Sequence, residues 1–153
     1  MIQRIQTVFL LIATILMAFV AFMPFAEVAT TAELAIYELG FKGLVGSNVP
    51  APEFNTIPMS ILIALCIGLC VATILLYKNR MLQIRLSVVN IVLLLGLMGL
   101  MYYYVRTAQS IVDGTSSYSI IFMFPLAAAI LVFLALRAIA RDEALVRSLD
   151  RLR

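Results

Sequence analysis

The sequence predicts an all-α fold: a four-transmembrane-helix antiparallel bundle with both termini in the cytoplasm and a short β-hairpin in its first external loop. Three observations carry that expectation. The chain holds four apolar stretches of membrane-crossing length, none of them contains Asp, Glu, Lys, Arg or His, and the basic residues between them gather on one side. The stretches run from Val8 to Ala26, Ile57 to Tyr77, Ser87 to Val105 and Ser119 to Leu136. At about 1.5 Å rise per residue, each suffices for a helix to cross roughly 30 Å of hydrocarbon.

Apolar residues make up 64% of the chain and charged ones 12%, against a globular norm of about 45 to 50% and about 25%. Four spans and their links use up the 153 residues, which leaves no room for a separate soluble core. A single integral-membrane domain, 1–153, follows.

Charge position sets the sidedness. Arg4 precedes span one, Lys78, Arg80 and Arg85 fill the link between spans two and three, and Arg137, Arg141, Arg147, Arg151 and Arg153 follow span four; the other two links hold only Lys42 and Arg106. By the positive-inside rule both termini lie in the cytoplasm, so residues 27–56 form an external loop and 137–153 a cytoplasmic tail. The basic pI is then a topology signal. A tail that binds anionic lipid or RNA is the sharper alternative, but its basic residues alternate with Asp142, Glu143 and Asp150, and no nucleic-acid partner is expected.

Span one is longer than a signal-peptide core and lacks a good cleavage site, so its retention is expected. The loop 27–56 carries Gly40, Gly43, Gly46, Pro50 and Pro52 as breakers. Between Ala35 and Val45 its apolar residues nearly alternate around Glu38, Leu39 and Gly40, which predicts a two-stranded hairpin over the outer mouth of the bundle. Pro58 stands at the expected start of the second helix, while Pro24 and Pro125 lie near the outer interface, where freed carbonyls find partners. Tyr102, Tyr103, Tyr104 and Tyr118 form an aromatic belt in preference to a ligand cage. The link Lys78 to Leu86 is short, and Arg106 to Tyr118 is polar and turn-prone; both favour an up-down-up-down bundle. Beyond Leu136 the helix is expected to continue, since Leu145, Leu149 and Leu152 keep helical spacing and Glu143 stands four residues before Arg147.

Within the spans, Ser60, Ala64, Gly68 and Ala72 recur every fourth residue and predict a helix-packing seam, internal in preference to a homodimer face. Gly96 and Gly99 predict another close approach. Asn90 needs a hydrogen-bond partner, with Thr73 a better candidate than Ser60. Cys66 and Cys70, about 200° round the helix from Gly68, face elsewhere and read as small packing residues. An i, i+4 pair cannot readily close a disulfide, and the chain has no histidine to complete a soft metal site, so no metal or cofactor is expected.

The charge-free span interiors argue against proton- or ion-coupled transport. No histidine base, phosphate-binding glycine loop or close hydrolase-type carboxylate pair is present, and the expectation is a protein that is not an enzyme, with no catalytic residues. Arg106 and Asp113, with Glu27 and Glu53, read as interfacial salt bridges.

The opening MIQRIQTVFLLIA and the closing RAIARDEALVRSLDRLR resemble the two ends of a Bacteroidota four-helix integral-membrane protein family of unknown function. The resemblance implies a bacterial inner membrane location and brings no functional residues. It places Gln3, Arg4 and Gln6 beside the tail on one side of the membrane. The leading expectation is a non-enzymatic scaffold or interaction subunit. It would engage a membrane-protein partner or a homo-oligomer, besides lipids, through tail residues Arg141, Asp142, Glu143, Arg147, Asp150 and Arg151. The rival is a small transporter or lipid- or solute-binding protein, with a cavity between spans two, three and four bordered by Asn90, Thr73 and Gly96.

Overall fold

The structure is a computed structural model that describes residues 3–30, 35–46, 55–77 and 79–150, with side chains described only from residue 5 to residue 144, so those of Gln3 and Arg4 lie outside the described ones. In chain order the elements are α1 (Gln3–Phe22), β1 (Ala26–Thr30), β2 (Ile36–Gly40), β3 (Gly43–Gly46), α2 (Ile57–Leu75), α3 (Arg80–Val112), β4 (Gly114–Tyr118), a 3₁₀ turn (Ile120–Met123) and α4 (Phe124–Asp150). All four α-helices are long and apolar enough to cross a membrane, as expected. The chain is not all-α, however: one antiparallel four-stranded sheet, ordered β3-β2-β1-β4, corrects that reading.

Buried residues on the helices advance by alternating steps of three and four. On α1 they are Gln6, Leu10, Ala13, Met17 and Val20; on α2, Met59, Ile63, Cys66, Cys70 and Thr73. On α3 the series begins Gln83, Ser87, Asn90, Leu94, Leu97 and Met101, and on α4 it runs Ala128, Val132, Ala135 and Ile139. A repeat of 3.5 residues keeps one seam of each helix on the bundle axis, the side-chain interlocking of antiparallel bundles. The helices close a ring in which α1 and α3 each pack against both α2 and α4. Half of the inward residues of α4 are alanine (Ala128, Ala129 and Ala135), so its backbone can lie close to α1 and α3.

The sheet closes the end of the bundle where α1 and α3 finish and α2 and α4 begin. The expected hairpin is present as β2 and β3, but Glu38, Leu39 and Gly40 belong to β2 and the turn falls at Phe41 and Lys42, with Gly43 at φ 111°, a conformation glycine adopts without a Cβ penalty. Two strands were not foreseen. Phe25 and Ala26, at the predicted end of span one, lie after the helix stops at Phe22; Phe25 leads into β1 and Ala26 opens it, and the residues of β1 alternate buried and exposed. The polar segment Gly114–Tyr118 pairs with β1 along its whole length. A Cβ on Gly114 would stand 2.5 Å from the Ala29 carbonyl oxygen, so only glycine fits there. The third helix also outruns its predicted end at Val105. At about 1.5 Å per residue its 33 residues rise roughly 50 Å, and its last turns stand clear of a hydrocarbon layer roughly 30 Å thick to carry β4.

The three described prolines sit where their missing donor is tolerated. Pro58 occupies the first turn of α2, Pro125 follows the first residue of α4, and Pro24 lies between α1 and β1. The hydroxyls of Thr56 and Ser60 both donate to the Phe41 carbonyl, at 2.9 and 2.8 Å, and pin the hairpin turn to the start of α2.

Candidate functional site

Opposite the sheet, where α1 begins and α2 and α4 leave the bundle, the helices enclose a cavity of about 500 Å³. The largest share of its apolar wall comes from α1, through Val8, Leu10 and Leu11, completed by Ile74 of α2 and Ile139 of α4. Leu10 and Ile139 are almost wholly buried, each 1% exposed, whereas Val8 and Leu11 are about half exposed on the outer flank of α1. The cavity therefore opens sideways through the flank of the bundle as well as reaching inward to its axis.

Polar groups gather at the same end. Gln6, Arg80, Gln83 and Asp142 line the cavity from three helices. Gln83 donates its amide to the Thr73 carbonyl at 2.8 Å. Gln6, 93% buried, has no partner for its Nε2 among the described residues. No ion pair with a described residue engages Arg80 or Asp142. One to two turns deeper, Asn90 donates to Cys70 Sγ at 3.0 Å, while its Oδ1 and the Ser87 hydroxyl have no partner. A buried amide or hydroxyl without a partner costs about 1 to 3 kcal/mol, so these orphans mark a place built for something other than tight packing. Beyond Asn90 the axis turns apolar through Leu94, Leu97 and Met101 up to the sheet, and polar access from the cavity ends there.

Several anticipated site residues lie elsewhere. Asn90 is buried against α2 as expected, but its partner is Cys70, one turn before the favoured Thr73. Cys66 and Cys70 are both buried in the core and free of any disulfide. The seam Ser60, Ala64, Gly68 and Ala72 does not face the axis: Ala64 and Gly68 are exposed, Ser60 and Ala72 half-buried. A Cβ on Gly68, Gly96 or Gly99 would meet nothing within 4 Å, so these glycines mark no close approach inside the chain. The reason is the 3.5-residue repeat, which puts Cys66, Cys70 and Thr73 on the axis and turns a four-residue stripe away from it. Gly96 accordingly does not line this cavity; α1, absent from the expected wall, supplies the largest share of it.

Of the tail residues, Arg141 is exposed, and Asp142 and Glu143 are half-buried. Arg147 and Asp150 belong to α4 with side chains outside the described residues, and Arg151 lies outside them entirely. At the sheet end Arg106 and Asp113 share a shallow depression with Gln109 and Gly114. Glu27 instead stands on the exposed face of β1, directly opposite Glu38. Glu53 lies outside the described residues. Tyr102, Tyr103 and Tyr118 are exposed in belt fashion, but Tyr104 is buried. Among the described residues no group of acidic, cysteine or histidine side chains is arranged to hold a metal.

Sequence reasoning missed Gln83 and named Gln6 only as a polar residue of the N-terminal end beside the tail, not as a buried one, because both fall outside the apolar stretches; the cavity does bring Gln6 together with Asp142 of the tail. Extending the 3.5-residue series back from Leu10 and Ser87 finds them. A comparison with curated proteins gives no match. A family model described as a domain of unknown function, DUF4293, matches residues 2–152, and the chain belongs to that family.

Proposed function

We propose that this protein is a non-catalytic, multi-pass protein of a bacterial inner membrane, both ends cytoplasmic, that holds a lipid in a cavity open to the inner leaflet. The observation that carries the reading is the side opening of that cavity. Val8 and Leu11 lie on the lipid-facing flank of α1 and also line the cavity, so a ligand enters from the bilayer without crossing water. Apolar walls with a few convergent polar groups are the usual make-up of a ligand site, and about 500 Å³ lies within the usual range of roughly 300 to 1,000 Å³. The apolar plug above Asn90 favours holding over conduction. The nine-to-two distribution of basic residues supports the assigned sidedness.

An assembly role is the second reading. It is favoured by the outward Ala64, Gly68, Gly96 and Gly99, small residues against which a partner helix or a second copy can pack closely. One measurement separates the two: native mass spectrometry of the protein released from its own membrane in several mild detergents. Lipid-holding predicts a monomer carrying one lipid in every detergent. A lipid-free chain, or a lipid-free complex with a stoichiometric protein partner, contradicts it, and the complex would favour assembly.

A further inference from the structure

The polar end of the cavity carries two opposite charges on different helices, neither of them neutralised by a described neighbour. Arg80 stands in the first turn of α3, and Asp142 lies on α4 on another wall of the same cavity. The start of α3 has no acidic residue in its first turn and no side-chain cap from Asn79, so neither of these offsets the positive end of its dipole. Helix N-termini favour phosphate, and an arginine beside one adds planar, charge-assisted donors. Gln6 Nε2, buried and unpartnered in the same cavity, supplies a further donor and no competing charge. Asp142 offers the complementary site, an acceptor-only carboxylate suited to an ammonium.

Resting on the lipid-holding reading, we propose that the ligand is a phospholipid with a zwitterionic phosphoethanolamine head. Its phosphate lies on Arg80 and Gln6, its ammonium on Asp142, and one acyl chain lies along Leu10, Ile74 and Ile139. An anionic lipid without an ammonium leaves Asp142 facing like charge. A fatty acid leaves it without a partner. The side opening past Val8 and Leu11 gives a second acyl chain a route into the bilayer, so monoacyl and diacyl forms share the recognised chemistry.

The test is a competition series by native mass spectrometry on the full-length protein, delipidated in detergent. It uses phosphatidylethanolamine, its monoacyl form, phosphatidylglycerol and palmitate. Wild type should retain phosphatidylethanolamine about tenfold more tightly than phosphatidylglycerol, a difference of about 1.4 kcal/mol. Asp142→Asn should erase that preference by weakening the first and strengthening the second, opposite shifts that misfolding cannot produce. Arg80→Gln should weaken both lipids. Comparison of the monoacyl and diacyl forms identifies the source: tighter binding of the monoacyl lipid means that one chain fills the site, and equal or tighter binding of the diacyl lipid means that the second chain leaves through the side opening. If wild type prefers phosphatidylglycerol or palmitate, or if Asp142→Asn leaves the preference unchanged, the head-group assignment is wrong while lipid-holding stands. If no lipid binds at all, lipid-holding itself fails.

Discussion

Gln6 combines deep burial with an amide nitrogen that has no hydrogen bond, on the wall of the cavity. A chain selected only for a stable bundle would place methionine or leucine there, since a buried unpaired amide costs about 1 to 3 kcal/mol. Gln6→Met should therefore stabilise the lipid-free protein by about 1 kcal/mol and weaken lipid retention, read as thermal denaturation in detergent with and without added lipid. A variant less stable than wild type without lipid, or one that retains lipid unchanged, would contradict the role given to Gln6. Asn90 was legible as a buried amide in need of a partner because it interrupts an apolar run. Gln6 was not, because a glutamine beside Arg4 at a helix start resembles any polar end; only its register with Leu10, Ala13 and Met17 gives it away.

The same question of register decides which helix packs closely. Span two advertises its small residues at every fourth position, whereas α4 spreads its alanines through PLAAAILVFLALRAIA, where they read as generic membrane sequence. Yet Ala128 and Ala135 are fully buried and Gly99 faces open space. Enlarging a well-packed inward alanine costs about 1 to 3 kcal/mol, so Ala135→Leu should destabilise the monomer by that order while Gly99→Leu leaves it unchanged. Equal losses in thermal denaturation of both variants would mean that the inward and outward faces are misassigned. For the strands, local patterning served where the partners are neighbours in sequence. The hairpin of β2 and β3 was visible as alternation around a glycine-rich turn. β4, with the sequence GTSSY, has little apolar content to alternate, and its strand character comes from main-chain bonds to a segment more than eighty residues earlier.

Four spans in one bundle follow from hydrophobicity alone, because lipid forces every backbone group of a crossing segment into a helix or a closed barrel. The sheet cap and the cavity are products of the assembled molecule. Both depend on which turn of one helix meets which turn of another, and no single span encodes that. The capped molecule is asymmetric along its axis, with an apolar core running up to the sheet at one end and a polar-rimmed cavity at the other. The central claim is that an acyl chain occupies that cavity, and photo-crosslinking in bilayers, using phosphatidylethanolamine with a diazirine in one chain, tests it most directly. Leu10 and Ile139 are closed to annular lipid, while Val8 and Leu11 are open to it. Labelled peptides carrying the modification at Leu10 and Ile139 are the predicted result, lost when excess unlabelled lipid competes. Labelling confined to outward residues such as Val8, Leu11 and Val92 would show that the cavity holds no chain.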